Sequence, residues 1–303
     1  MLSTADRSLI SIIINCFNGE KYLNEALKSI LNQTYKNWEI IFWDNQSSDS
    51  SEKVFKQYKD ERFKYFYATQ HTTLYAARNK ALEKCKGEYI AFLDVDDWWE
   101  ETKLEKQIKV FFNGSFGLVY SNSTIHNQIN KTKKIFIKDK LPSGEVTNQI
   151  LSNYPIGIST VMINKNILKN GNLLFDSRYS IIGDFDLFVN LSLSIKFYGI
   201  NEPLSNYRLH ESNYTNKNTD QWLEEFETWL NINDNKFKEK FNESLNKVRI
   251  YLNYLKVKFK ILKGNYREAF IDIVKFPLKI EKLKLFCILI LLILNIKKND
   301  DFK

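Results

Sequence analysis

The rhythm of apolar and polar positions changes repeatedly over the first 125 residues. Leu9–Asn15 is a nearly unbroken apolar run of strand length. In Glu20–Gln33, residues Tyr22, Leu23, Ala26, Leu27, Ile30 and Leu31 fall on one helical face. Trp38–Asp44 reads as a second strand. The polar loop Asn45–Ser51 follows, with Ser and Asp residues suited to cap a helix over Ser51–Tyr58. The pattern then predicts a strand at Phe63–Thr69, a helix at Leu74–Cys85 ended by Lys86-Gly87, and a strand at Glu88–Asp94. A helix at Trp99–Phe112 and a strand at Phe116–Asn122 complete the series. Strands alternating with helices imply an α/β fold, Rossmann-like, with a mainly parallel sheet flanked by helices. Ligands of such sheets bind beyond the carboxyl ends of the strands. Asp44 and Asp94 end two of them and should face one crevice.

Beyond residue 125 the pattern is less regular. A basic stretch (Lys131–Lys140), Pro142-Ser143-Gly144 and the apolar Ile156–Ile163 suggest a subregion of the same domain with one or two strands. Ile182–Leu193 reads as a helix. From Asp220 onward, Trp, Leu, Phe and Tyr recur at helical spacing among Glu and Lys, which predicts a C-terminal helical tail. The expected organisation is a catalytic domain over 1–215 and a helical extension over 216–303. Leu285–Leu294 is almost wholly apolar and flanked by lysines. It is shorter than the ~20 residues a spanning helix needs. An in-plane anchor on an anionic membrane and a buried core helix both fit it, since periodicity does not separate them.

Composition narrows the class. Cys16, Cys85 and Cys287 are scattered, without metal-ligand spacing, which argues for a reducing compartment and against a disulfide framework or zinc site. The polar N-terminus and short first apolar run do not read as a signal peptide. The expected location is cytoplasmic, with peripheral attachment at the cytoplasmic face of the inner membrane if the tail is an anchor. The lysines are spread along the chain, most of the net charge of +8 falls after residue 236, and there is no Arg-rich block, so no nucleic-acid partner is expected.

The sharpest chemical signal is Phe92-Leu93-Asp94-Val95-Asp96-Asp97-Trp98. An Asp-x-Asp pair at the end of a buried strand puts two carboxylates on one side of an extended turn, and such hard ligands select Mg2+ or Mn2+. A metal there can bridge two phosphates and offset the charge on a departing nucleotide diphosphate. Capping of a helix from Trp99 would explain one of these acids, Asp96 or Asp97, and not the whole cluster.

With this motif in place, the chain resembles the family 2 glycosyltransferases of the GT-A fold, from about Leu9 to His210. Ile12-Ile13-Ile14-Asn15-Cys16-Phe17-Asn18-Gly19-Glu20-Lys21-Tyr22-Leu23 matches the opening strand and loop. Ser29-Ile30-Leu31-Asn32-Gln33-Thr34-Tyr35 with Trp38-Glu39-Ile40-Ile41 matches the next join. Ala77-Arg78-Asn79 and Gly87–Asp97 match the approach to the metal site. Gly183-Asp184-Phe185-Asp186-Leu187 and Tyr207-Arg208-Leu209-His210 match the acceptor-side blocks.

The resemblance implies a metal-dependent inverting transferase acting from a nucleotide diphosphate sugar, UDP favoured, with Mn2+ or Mg2+ as cofactor. The acceptor would be a hydroxyl of a cell-surface glycan or lipid-linked saccharide. It assigns Asp184 as the catalytic base, and Asn15, Phe17, Asp44, Arg78, Asp94, Val95 and Asp96 to the donor. Asp96 and His210 fall to the metal, Asp97 and Arg208 to the diphosphate or acceptor side. Plainer roles stand beside these: Asp44 capping its loop, Arg78 a solvated helix residue, Asp184 a helix cap, His210 a structural histidine.

Four departures from the family pattern matter. Asn15 stands for the usual Pro, Cys16 for a small hydroxyl residue, Asn45-Gln46 for an acid and Gly, and Gly183 for the acid before the base. The first three leave GDP and dTDP donors open. A dinucleotide fingerprint and a Gly-Lys-Ser/Thr phosphate loop are both absent. The remaining alternative is a catalytically impaired nucleotide-sugar-binding subunit that supports a partner transferase. Oligomeric state is not legible.

Overall fold

The computed structural model describes residues 8–170, 174–277 and 281–290. Its centre is β1 (Ile10–Cys16), buried on both faces. Ile10, Ile12, Ile14 and Cys16 point into a cluster with Leu23, Ala26, Leu27 and Ile30 of α1 (Glu20–Leu31). β2 (Trp38–Asp44) lies parallel to β1 in the register Ile10↔Trp38 to Cys16↔Asp44. After α2 (Ser51–Lys56), β3 (Phe63–Tyr67) extends the parallel sheet beyond β2. α3 (Leu74–Lys84) packs on β1 and β2, and β4 (Tyr89–Phe92) returns on the other side of β1. The return passes through Gly87, where a Cβ would sit 2.5 Å from the Ser11 amide nitrogen and 2.6 Å from the Leu9 carbonyl oxygen. Only glycine allows so close an approach of two backbones.

The expectation of a mainly parallel sheet holds for this half alone. β5 (Trp98–Trp99) precedes α4 (Lys103–Asn113), and β6 (Leu118–Asn127) and β7 (Thr132–Ile135) form a hairpin. α5 (Thr147–Ser152), β8 (Val161–Asn164), α6 (Lys165–Asn170), α7 (Gly183–Ser192) and β9 (Phe197–Leu209) follow. The sheet runs β3-β2-β1-β4-β8-β6-β9-β5, with β7 on β6. β8 is antiparallel to both β4 and β6, and β5 is antiparallel to β9; only β6 and β9 pair in parallel here. The sheet is therefore mixed.

Two differences from the sequence reading have physical causes. The helix expected from Trp99 starts at Lys103, because Trp98 and Trp99 pair with Asn206 and Ser205 in the sheet. β9 was not anticipated. Its register against β6 jumps near Asn122, which pairs with Pro203, so the proline sits at a bulge that the apolar pattern does not announce.

Contacts divide the chain into two compact units, Met1–Glu225 and Phe226–Lys303. After α8 (Tyr214–Lys217) come α9 (Thr219–Leu262), interrupted by a non-helical Phe241, and α10 (Tyr266–Lys275). The second unit has its own core of Val257, Ile261, Ala269, Ile273, Phe276, Leu285 and Leu289. Leu285 and Leu289 of the terminal apolar segment are thus buried in that core, whereas Leu283 and Ile290 are exposed. Leu291–Leu294 lies outside the described residues. No described helix is long and apolar enough to cross a membrane, and no disulfide is formed by Cys16, Cys85 or Cys287.

Candidate active site

The turn after β4 gathers the acids. Leu93 continues the ladder by donating its N–H to the Ile13 carbonyl (3.0 Å), and Asp97 N–H closes the turn on the Asp94 carbonyl (3.1 Å). Each acid then meets a different fate. Asp97 is buried: Ser159 Oγ donates to its Oδ2 (2.7 Å) and Arg208 N–H to its Oδ1 (3.0 Å). Burial and the nearby Asp96 and Asp94 carboxylates push Asp97 well above the usual carboxylate range. Both its oxygens are committed to holding the turn. Neither Asp96 nor Asp97 caps α4, whose N-cap is Thr102.

Asp96 Oδ2 lies 3.0 Å from His210 Nε2 and 3.3 Å from Asn213 Nδ2. Burial, then the Asp94 charge, raises its carboxyl, and His210 opposes the rise. On the other side of the imidazole, Nδ1 meets Ser212 Oγ at 2.8 Å. With Nε2–H donating to Asp96, Nδ1 accepts the Ser212 hydroxyl proton; the opposite tautomer, with Nδ1–H on Ser212, frees the Nε2 lone pair for a cation shared with Asp96. Asp94 turns the opposite way. Its Oδ1 receives Arg78 Nη2 of α3 at 2.6 Å. Arg78 is 3% exposed, so it is no solvated helix residue. Burial works against its charge, but Asp94 holds the guanidinium above its ordinary pKa.

Asp184 opens α7. Its Oδ1 accepts the Phe185 N–H (2.9 Å) and lies 3.1 Å from Tyr75 Oη. Burial raises its carboxyl, while Arg78, the Phe185 N–H and Tyr75 pull it down. A base held somewhat above the usual carboxylate range takes a proton more readily near neutrality. The loop before it is fastened by Glu225, whose carboxylate accepts the N–H groups of Ser180 (2.8 Å), Ile181 (2.9 Å) and Ile182 (3.2 Å).

The remaining expected residues lie at the ends of β1 and β2, in the turn after β4 and on β9. Asp44 is buried, accepting Tyr65 Oη (2.7 Å) and Ser47 N–H (2.7 Å), so it does cap its loop. Asn45 ties that loop to Thr72 through both ends of its amide. Gln46 takes φ +69°, the left-handed conformation glycine adopts freely. Phe17 is 53% exposed, with its ring 4.4 Å from that of His71. Val95 closes on Gly19, where a Cβ would lie 3.0 Å from Val95 Cγ2. Asn15 keeps both amide atoms buried with no hydrogen-bond partner, a costly state that a bound polar group would relieve. Arg208 is turned to Glu25 (2.5 Å), with its guanidinium between the rings of Tyr22 (4.6 Å) and Trp98 (4.4 Å).

Sequence reasoning did not single out Tyr75, Glu225, Ser159 or Asn213. None stands in a motif, and each is far along the chain from what it holds: Tyr75, Ser159 and Asn213 an acid, Glu225 the loop before Asp184. No group of three or more His, Cys, Asp or Glu side chains among the described residues is arranged around a metal position. Asp96 and His210 nevertheless converge, and cations of the Mg2+ type are commonly held by one or two protein ligands plus substrate phosphates. The donor set fits such a metal.

With this geometry in place, the comparisons are informative. The profile of "Glycosyl transferase family 2" matches residues 11–170. A putative teichuronic acid biosynthesis glycosyltransferase, TuaG of Bacillus subtilis, is 32% identical over 229 residues, covering 74% of this chain and 87% of the relative. The UDP-Glc:alpha-D-GlcNAc-diphosphoundecaprenol beta-1,3-glucosyltransferase WfgD of Escherichia coli is 31% identical, covering 68% of this chain and 79% of the relative. Among solved structures, the mannosyltransferase PcManGT of Pyrobaculum calidifontis, in complex with GDP-Man and Mn2+, superposes with a TM-score of 0.61 at 16% identity, covering 82% of this chain and 70% of that one. S. aureus TarS 1-349 in complex with UDP gives 0.59 at 17% identity, covering 71% of this chain and 62% of that one. These likenesses show the GT-A fold.

Proposed function

The chain belongs to glycosyl transferase family 2 and is a glycosyltransferase, and we propose that it moves a sugar from a UDP-sugar to a hydroxyl of a glycan or lipid-linked acceptor, with metal assistance and inversion at the anomeric carbon. The observation that carries this reading is one helix. α3 sends Arg78 to Asp94 on the donor side and Tyr75 to Asp184 on the other. A UDP-sugar donor and a lipid-linked acceptor are supported by the specificity named for the E. coli relative.

Asp184 takes the proton of the acceptor hydroxyl as its oxygen attacks the anomeric carbon and the bond to the diphosphate breaks. A positioned base of this kind contributes roughly 10²–10⁴-fold. Arg78 fixes Asp94 at the donor, and Asp97 keeps the turn rigid while Asp96 faces the diphosphate. Asp96 and His210 would hold Mn2+ or Mg2+, which, when bound, offsets the charge of the leaving diphosphate. Asn15, Phe17, Asp44 and Val95 border the nucleoside, and Arg208 supports the diphosphate side through its backbone bond to Asp97. Catalysis resides in 1–215, with 216–303 as a helical extension. The enzyme works in the cytoplasm, where a lipid-linked acceptor would present its glycan at the inner face of the membrane.

Turnover of UDP-glucose with Mn2+ tests the reading. Wild type should release UDP, and Asp184→Asn should bind UDP as tightly while releasing little. Equal turnover by Asp184→Asn would overturn the assignment of the base. Binding without turnover by the wild type would favour the impaired-subunit alternative.

A further inference from the structure

Tyr75 is 2% exposed, and its ring is held on several sides. Phe175 stacks on it at 5.4 Å, and the Arg78 guanidinium lies 5.2 Å from its centroid. The third side is Gly183. A methyl group there would fall 2.5 Å from Tyr75 Cδ2 and 2.7 Å from Cε2. The residue before Asp184 has no room for a side chain because the tyrosine ring lies flat on its backbone.

The hydroxyl at the end of this clamped ring faces two acceptors, the Ile181 carbonyl at 2.7 Å and Asp184 Oδ1 at 3.1 Å. A phenol carries one proton, and a carbonyl can only accept. The proton is therefore shared between Ile181 and Oδ1 while Asp184 is a carboxylate. Oδ1 is further pinned by the Phe185 N–H (2.9 Å). Among the described residues no hydrogen bond reaches Oδ2, which is left for the acceptor hydroxyl.

Resting on Asp184 as the base, we propose that Tyr75 is its positioning residue: it holds Oδ1, aims Oδ2 at the acceptor, and gives up its share of the bond as Asp184 is protonated. When the acceptor proton arrives on Oδ2, the charge on Oδ1 falls and the phenol proton settles on Ile181, with no heavy atom displaced. The phenol proton never leaves Tyr75. Gly183 belongs to the same device, since any larger residue displaces the ring.

The charged and titratable groups around Asp184 are Arg78 and Asp94 from the donor side and Tyr75 and Tyr154 beside it. Removing the Tyr75 hydroxyl takes a donor from the carboxylate and leaves the others, so the Asp184 pKa must rise.

The experiment is a carbon-13 carboxyl titration of the full chain by NMR, with the Asp184 signal assigned by its loss in Asp184→Asn. UDP-glucose turnover against pH is measured alongside. In Tyr75→Phe, which keeps the ring against Gly183, Asp184 should titrate about half a unit or more higher, and the acid limb of kcat should follow. kcat should fall about tenfold or more, as small misplacements of reacting groups do, with KM for UDP-glucose nearly unchanged. Gly183→Ala retains every polar group but pushes the ring, and should shift the same titration, so the inference stays testable if Tyr75→Phe folds poorly. Wild-type turnover by Asp184→Asn would overturn the base and this inference together. An inactive Asp184→Asn, with titration and kcat unaltered in Tyr75→Phe and Gly183→Ala, would overturn this inference alone.

Discussion

The donor side and the base side of the catalytic unit hold their carboxylates by different means. Asp44 ends β2 and Asp94 stands two residues beyond β4, so the parallel pairing of both strands with β1 sets their backbones, while Tyr65 and Arg78 hold their carboxylates. Asp184 opens a helix whose preceding loop is fixed by Glu225 and whose oxygen is held by Tyr75. The first arrangement takes its backbone positions from paired strands. The second is assembled from residues distant in sequence, so single substitutions should detach the base while leaving the donor side intact.

The largest effect expected from this contrast is Asp184→Asn: transfer falls about 10²–10⁴-fold, with UDP affinity unchanged by calorimetry. Loss of UDP binding as well would show that the two sides are not separable. Next comes Glu225→Ala, which strips an acceptor from the N–H groups of Ser180, Ile181 and Ile182. Hydrogen bonds to a charged partner are worth about 1.5–3 kcal/mol, so chemical denaturation should show a loss of that order, with UDP binding by the folded protein retained.

Lys103 tests the packing of α4 against the sheet. It is fully buried, donates to Gln107 Oε1 (2.7 Å) and lies 4.0 Å from the Trp99 ring centroid. Gln107 in turn bonds the Val119 and Thr160 carbonyls. Burial holds the Lys103 amine well below its ordinary pKa. Between the folded and unfolded values the unfolded chain binds the extra proton, so stability rises with pH and is lost as pH falls through the folded value. Relative to Lys103→Met, wild type should gain stability as pH rises toward the ordinary lysine value, by up to about 1.4 kcal/mol per pH unit. A flat difference would mean Lys103 stays charged. The smallest effect is Thr73→Ala, which removes the side-chain cap of the helix carrying Tyr75 and Arg78. It should cost about 0.5–1 kcal/mol and disturb both sides equally.

The same contrast decides what could be read from the chain. The strands of the parallel half are apolar runs bounded by loop residues, and β2 is found where the pattern places it, at Trp38–Asp44. Asp94, Asp96 and Asp184 were visible because they stand in motifs. β9 was not, because its bulge at Pro203 breaks the alternation by which strands are recognised. Tyr75 and Glu225 were not, because a tyrosine in a helix and a glutamate at the start of another carry no sign of the loop they meet. The closeness of Gly183 to Tyr75 is likewise a fact of three dimensions. The Tyr75 ring fills the space that a side chain at position 183 would take.

The account rests most heavily on Asp96 as the link between the protein and the diphosphate. The direct test is calorimetric binding of UDP, with and without Mn2+, to wild type and to Asp96→Ala. Mn2+-dependent binding by wild type, lost in Asp96→Ala while the variant stays folded, is the predicted result. UDP bound equally well by both proteins, regardless of Mn2+, would contradict it.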